Sequence, residues 1–256
     1  MDLKITGKRA LVLGASRGLG RAVAEGLLAE GVQVIAVARK ADAVRAWAGD
    51  APGLSALSAD LTDLASVDAM IETVLAHGGV DILVNNSGGP APGAAASAPR
   101  ADWLAQFEPM AANLFHLTNR LLPGMRARKW GRVSTIASSG VEQPIPNLAL
   151  SNGIRAAVVG WSKTLAAEVA ADGVTVNIVM PGRIQTARVA ELDAAAANRS
   201  GSTVEAVQQA SAAAIPAGRY GRPEEFAAMV VFLASEPASY VTGSRLRVDG
   251  GAIRAI

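Results

Sequence analysis

The stretch from residue 8 to residue 39 constrains the fold of this chain more than any other. A short apolar run at residues 9–13 has the composition of a buried strand, and a glycine-rich turn at residues 14–20 follows it directly. Apolar residues at helical spacing come next, and residues 32–37 indicate a second buried strand. Strand, glycine-rich turn, helix and strand within about 30 residues is the pattern of a βαβ unit that binds a dinucleotide.

Three glycines in the turn have distinct expected roles. Gly14 allows a tight turn off the strand, while Gly18 and Gly20 remove side chains where the backbone approaches a pyrophosphate and where helix meets sheet. The free N–H groups and positive dipole end of the following helix suit that anion. The alternative is an ordinary glycine turn in an α/β protein.

The same alternation continues to the end of the chain. Further strands are predicted at residues 54–57, 81–85, 131–137, 174–179 and 244–249, and helices at 41–49, 64–75, 151–171 and 224–235, with a long helical stretch ending near 128 and a helical flap at 186–214. Pro109 and Pro123 are expected to kink or break the long helical stretch. The pattern predicts one Rossmann-type, doubly wound parallel sheet of about seven strands with helices on both faces, forming a single domain over residues 1–256.

Composition excludes several classes of function. The net charge of +2 is too small to indicate nucleic-acid binding, and the chain has no cysteine for disulfides or thiol catalysis. Two histidines without close partners make a zinc site an unfavourable interpretation. No apolar stretch approaches the roughly 20 residues of a membrane span, and the first strand begins too early for a signal peptide. We therefore expect a cytoplasmic protein with a small-molecule substrate and neither membrane nor nucleic-acid partners.

Polar and glycine clusters follow the predicted strands. They lie at residues 14–20, 39, 60, 85–89, 137–140 and 181–186. Because ligands of doubly wound sheets bind beyond the carboxyl ends of the strands, we expect these clusters to converge on one site.

Several motifs, taken in order, resemble those of the short-chain dehydrogenase/reductase family, particularly its 3-oxoacyl-acyl-carrier-protein reductase branch. The glycine turn is similar to the family's T-G-x-x-x-G-x-G, with Leu13 in place of the usual threonine. Residues 85–88 (N-N-S-G), 181–186 (P-G-R-I-Q-T), 221–225 (G-R-P-E-E), 232–235 (F-L-A-S), 241–243 (V-T-G) and 248–251 (V-D-G-G) are similar to later family signatures. The likeness covers nearly the whole chain.

The resemblance implies a nicotinamide cofactor, and two arginines favour its phosphorylated form, NADP(H). An acidic residue after the second strand would bind the ribose of NAD, but Arg39 stands there and Arg17 lies in the glycine turn. Guanidinium groups suit a phosphate monoester, although both arginines could instead be solvated. By resemblance Asp60 holds the adenine; the alternative is a helix cap. The other cofactor-binding residues implied are Ser16, Leu19, Leu61, Asn86, Ser87, Gly88, Pro181, Gly182, Ile184 and Thr186.

The catalytic positions depart from the family pattern. A family serine polarises the carbonyl, a tyrosine thirteen residues later transfers the proton, and a lysine four residues further binds ribose. Ser138 matches the serine, but Ser151 and Arg155 stand at the tyrosine and lysine positions. Met110 occupies the place of a supporting asparagine, with Asn113 one turn away.

The departure leaves several functions open. A serine hydroxyl is a far weaker acid than a tyrosine of pKa about 10, and an arginine stays protonated. Ser138 can still donate to an oxyanion or cap the strand end, and Ser151 can be catalytic or cap its helix. The chain is thus expected to be an NADP(H)-dependent reductase of carbonyls or imines such as 3-oxoacyl compounds, with water or substrate as proton source. Alternatives are a catalytically silent NADP-binding subunit or sensor and, more weakly, an isomerase or lyase. By resemblance a homodimer or homotetramer is expected.

Overall fold

A seven-stranded parallel sheet forms the centre of the computed structural model, which describes residues 1–255. The strand order is β3-β2-β1-β4-β5-β6-β7, and every neighbouring pair is parallel. The chain reverses direction across the sheet between β1 and β4, which is the switch point where doubly wound sheets bind ligands. The predicted fold class is confirmed.

The elements follow the predicted alternation along the chain. The strands are β1 (Arg9–Val12), β2 (Gln33–Ala38), β3 (Leu54–Ser58), β4 (Ile82–Asn85), β5 (Gly131–Ile136), β6 (Val174–Pro181) and β7 (Arg245–Val248). The α-helices are α1 (Gly18–Ala29), α2 (Asp42–Ala48), α3 (Leu64–Ala76), α4 (Arg100–Phe107), α5 (Asn113–Ala127), α6 (Ala149–Val169), α7 (Ala187–Ser200), α8 (Val204–Ala213) and α9 (Pro223–Leu233).

Apolar helix faces cover both sides of the sheet. On one side α1 and α9 bury residues such as Leu27 and Phe226 against the strands. On the other side α3, α5 and α6 bury residues such as Met70, Leu117 and Leu165. Because both faces of the sheet are covered, β4, β5 and nearly all of β6 are buried along their length and show no alternation of buried and exposed residues. Strands β5 and β6 also bury polar residues, such as Arg132 and Asn177, among the apolar ones.

Two helix boundaries differ from the sequence expectation. Pro109 lies in a π-helical turn (Glu108–Ala112) between α4 and α5, where the regular α-helical hydrogen bonding is interrupted because proline has no N–H to donate. Pro123, in contrast, lies inside α5, which continues to Ala127. Helix α6 begins at Ala149 with Leu148 as its N-cap. Ser151 is therefore already within the first turn, and its interpretation as the helix N-cap is wrong.

None of the helices in residues 1–255 is long and apolar enough to cross a membrane. Within the same residues no group of three or more His, Cys, Asp or Glu side chains is placed to hold a metal ion.

Candidate active site and cofactor groove

The glycine turn forms a tight cradle at the carboxyl end of β1. A Cβ at Gly20 would lie 2.3 Å from the Gly14 carbonyl oxygen, and one at Gly14 would lie 2.6 Å from Asn86 Nδ2. Gly14 and Gly18 both have positive φ, which a side chain would strain. Arg17 at the N-cap of α1 makes no capping hydrogen bond, so its side chain leaves the first N–H groups of the helix free for a ligand. This geometry fits a pyrophosphate.

The loop after β4 forms the next wall of the groove. Asn86 Nδ2 donates to the Leu13 carbonyl at 3.2 Å and ties this loop to the glycine turn. The Ser87 hydroxyl is buried without a hydrogen-bond partner in the described part of the chain. A buried polar atom normally has a partner, so Ser87 offers a donor and acceptor to a bound molecule.

The residues expected at the adenosine end lie beside β2 and β3. Asp60 Oδ1 accepts from the backbone N–H and the hydroxyl of Thr62, and these bonds, with help from nearby Arg39, hold the pKa of Asp60 below its ordinary value. Helix α3 is capped by Asp63, which accepts from Ala65. Asp60 is thus not the cap of α3, and the alternative interpretation of this residue is wrong.

Helix α7 begins over the groove. Thr186 caps it by accepting from Val189, and the Thr186 methyl group would lie 3.5 Å from a Cβ at Gly18. The loop between Pro181 and Thr186 is held in place because Ile184 is buried and forms an isolated β-bridge with Gly221. The loop after β6 therefore faces the glycine turn, as the sequence predicted.

The remaining positions named from sequence as cofactor-binding lie in the same turns and loops at the ends of the strands. Ser16 and Leu19 are half-buried in the glycine turn, and Leu61 follows Asp60. Gly182 allows a close backbone approach, because a Cβ there would lie 2.7 Å from Asp249.

Ser138 lies two residues beyond β5, where the sequence placed it. It is half-buried and its hydroxyl accepts from the Gly140 N–H at 3.0 Å, which makes it the cap of a short 3₁₀ turn (Ser139–Val141). The hydroxyl proton is not used by that bond, so Ser138 can also donate to a substrate oxygen.

Arg155 reaches from α6 to the ends of two strands. Its Nη1 donates to the Ile136 carbonyl at 2.9 Å and its Nη2 to the Gly88 carbonyl at 3.4 Å. Burial lowers the pKa of Arg155 to about 10, and the like charge of Arg188 adds to the effect. The group stays cationic at neutral pH and places positive charge at the Ile136 carbonyl, two residues before Ser138. Ser151 is half-buried one turn earlier on the same helix.

The other candidate proton carriers lie elsewhere. Tyr220 donates to Asp193 at 3.0 Å and Tyr240 is completely exposed, so neither of the two tyrosines hydrogen-bonds Ser138. Met110 is buried in an apolar cluster with Ala137. Asn113 donates to the Leu61 carbonyl at 2.8 Å, on the adenosine side of the groove.

Sequence reasoning missed a second set of charged residues around α7. Arg188 donates to the Pro90 carbonyl at 2.8 Å, and Glu191 lies 3.5 Å from Arg188 and 3.8 Å from Arg17. Asp193 is fully buried and accepts from Arg183 and Tyr220. The only signal in the sequence was the position of Arg188 two residues after Thr186.

Comparison with known proteins agrees with this geometry. A family model described as enoyl-(acyl carrier protein) reductase matches residues 14–252. The chain is 37% identical over 254 residues to the 3-oxoacyl-[acyl-carrier-protein] reductase FabG of Salmonella typhimurium, covering 97% of this chain and 98% of that protein. The chain belongs to the short-chain dehydrogenase/reductase family.

Solved structures of two reductases have the same fold. L-Sorbose reductase from Gluconobacter frateurii, complexed with NADPH and L-sorbose, superposes with a TM-score of 0.93 at 35% identity and complete coverage of both chains. YwfH, an NADPH-dependent reductase involved in bacilysin biosynthesis, gives a TM-score of 0.92 at 27% identity, covering 98% of this chain and all of YwfH.

Proposed function

We propose that this chain is an NADP(H)-dependent reductase that transfers a hydride to a carbonyl or imine carbon of a small molecule such as a 3-oxoacyl compound. The observation that carries the proposal is the position of Arg155, whose guanidinium joins the β4 and β5 ends beside the free donor of Ser138. A hydride acceptor held there would develop negative charge on oxygen or nitrogen next to a hydrogen-bond donor and a cation. The bound NADPH would supply the hydride.

The cofactor assignment rests on the groove and its charges. The glycine cradle suits the pyrophosphate, Ser87 offers an unpartnered buried hydroxyl, and Arg17 and Arg39 suit the 2′-phosphate. The NADPH complex of L-sorbose reductase and the NADPH-dependent reductase YwfH, which have the same fold, support this choice. We further propose that the whole chain is one cofactor-binding domain.

The proton source is proposed to be water or the substrate itself. Ser151 and Arg155 stand where the family uses tyrosine and lysine, and Met110 occupies the position of the supporting asparagine in an apolar cluster. A serine hydroxyl is a poor acid, so Ser138 and Ser151 would orient the acceptor while Arg155 binds ribose and stabilises charge.

Turnover is tested by following NADPH consumption with ketones, 3-oxoacyl thioesters and imines. Ser138→Ala is expected to lower kcat/KM about 10²-fold, the usual cost of one oxyanion donor. Ser139→Ala, next along the chain, is the matched control and is expected to retain activity. NADPH binding without turnover on any substrate would overturn the reductase proposal.

The lack of a tyrosine proton donor at position 151 favours a second candidate function, a catalytically silent NADP-binding subunit. The double variant Ser151→Tyr/Arg155→Lys separates the two. Carbonyl reduction that appears only in this variant assigns the native chain to the silent class, whereas native turnover assigns it to the reductases.

We also propose that the chain forms a homodimer or homotetramer. Leu104 and Phe107 on α4 are exposed apolar side chains, 53% and 39% accessible. They stand three residues apart, so they share one face of the helix, and adjoining exposed apolar side chains are where a subunit contact would form. Light scattering of the eluted protein measures the mass, and a monomer of 26.1 kDa would contradict the proposal.

A further inference from the structure

Two guanidinium groups from different helices meet at the loop after β4. Arg155 on α6 bonds the Gly88 carbonyl, and Arg188 on α7 bonds the Pro90 carbonyl at 2.8 Å. These carbonyls are two residues apart, so they lie within about 7 Å of each other along the backbone. The Arg188 Nη2 atom would also lie 3.7 Å from a Cβ at Gly89. Both cations thus flank one short segment at the edge of the groove.

The positive charge of this pair is only partly balanced. Within residues 1–255 no carboxylate lies within 4 Å of Arg155, which bonds only backbone carbonyls. Glu191 lies 3.5 Å from Arg188 but also 3.8 Å from Arg17, so one carboxylate serves two arginines. Arg188 and Arg17 therefore share one carboxylate, and Arg155 has none within 4 Å among the described residues. Surplus positive charge in a partly buried cleft attracts anions.

The position of the pair indicates which anion it would bind. Arg155 also bonds the Ile136 carbonyl, two residues before Ser138, so the pair faces the end of β5 rather than the end of β2, where Arg39 stands. Arg17 and Arg39 are proposed for the cofactor's 2′-phosphate, whereas Arg188 bonds the loop after β4, on the Arg155 side, and is therefore the cation available to a substrate. Arg188 is half-buried, with a planar fork that matches a carboxylate.

We propose that the substrate carries an anionic group, a carboxylate or a group of similar charge, and that Arg188 binds this group while Ser138 and Arg155 face the reacting carbon. This inference rests on the proposed function, since it places a substrate in the same pocket. It identifies Arg188 as a specificity-determining residue that the sequence motifs do not include. A neutral ester of the same substrate would lose this contact.

The test compares acids with their esters in the protein as it exists. Acetoacetate and 3-oxooctanoate, each beside its methyl ester, are titrated into the NADP⁺-saturated protein by calorimetry, so that binding is measured without turnover. Each acid is expected to bind about 10- to 100-fold more tightly than its ester, as for a charge-assisted hydrogen bond. Arg188→Gln is expected to abolish the difference and leave the Kd for NADPH unchanged. Arg199→Gln, an exposed arginine at the end of α7, is the control and should retain the difference.

Three results would overturn the inference. Acids and esters that bind equally, or neither of which binds, show that no anion is recognised. An Arg188→Gln variant that weakens NADPH binding but retains the acid preference assigns Arg188 to a cofactor phosphate. The proposed function fails separately: NADPH consumption that is absent with every acid, despite preferential binding, refutes reduction and leaves anion recognition standing.

Discussion

Asp193 on α7 carries a charge that is completely buried, and its replacement by asparagine is expected to destabilise the protein strongly. Its carboxylate accepts from the Arg183 guanidinium and from the Tyr220 hydroxyl, the latter at 3.0 Å. These bonds join α7 to the loop after β6 and to the segment before α9. An asparagine of the same shape keeps the packing but removes the charge, leaving Arg183 without its anion.

The loss of unfolding free energy in Asp193→Asn depends on how well water can solvate the Arg183 guanidinium once its carboxylate is gone. Breaking a buried ion pair costs about 3–5 kcal/mol when the remaining charge stays buried and unpaired. The Arg183 side chain is 39% exposed and can reach water, so we expect about 3 kcal/mol, at the lower end of that range. For a chain of this size that corresponds to a fall in Tm of about 6–12 °C. Tyr220→Phe removes one bond to a charged acceptor and should cost about 1.5 kcal/mol.

Calorimetry of the two single variants and the double variant measures these costs. The double variant should be less destabilised than the sum of the singles, because both changes remove the same Asp193–Tyr220 contact. Asp50→Asn, at an exposed aspartate, is the control and should have the same Tm as the wild type. A Tm of Asp193→Asn within about 2 °C of the wild type would show that the buried carboxylate is not what fixes α7.

Three further predictions concern the cofactor groove and a surface ion pair. Arg39→Asp should raise the Kd for NADPH about 10- to 100-fold and leave NADH binding almost unchanged; equal losses for both cofactors would contradict the 2′-phosphate assignment. Gly20→Ala should abolish NADPH binding measured by fluorescence, because its Cβ would lie 2.3 Å from the Gly14 carbonyl oxygen and displace the glycine turn. Retained binding would show that the glycine turn does not hold the pyrophosphate. The hydrogen bond from Arg219 lowers the pKa of Glu225 to about 2 from its ordinary 4.5, so the stabilisation is complete above pH 4.5 and lost as the pH falls toward 2. The Tm deficit of Glu225→Gln should shrink over that range, and a pH-independent deficit would refute the ionic origin.

The fold could be predicted from local patterns because strands buried on both faces leave a simple trace in the sequence. The segments that became β1, β2 and β4 are almost entirely apolar, and β5 and β6 contain polar residues between apolar ones. Glycine or polar residues follow within two residues of the end of each of these strands. Since connections between parallel strands place helices on the faces, the alternation alone indicated the doubly wound sheet.

Boundaries were less predictable, because they depend on contacts that local patterns do not contain. Ser151 has the residue type of a helix cap, yet α6 begins two residues earlier at Ala149. Pro123 has the residue type of a helix breaker, yet α5 continues past it. In both helices tertiary packing outweighed the local preference.

The sequence by itself indicated the doubly wound fold and the glycine turn at residues 14–20, and through resemblance to the family it predicted active-site roles for Ser138, Ser151 and Arg155. These features can be inferred from sequence because residue type and spacing along the chain define them. Only the tertiary structure brought Arg155 and Arg188 to one loop and buried Asp193 against Arg183. Charges from separate elements interact through distance in space, which the order of residues along the chain does not specify.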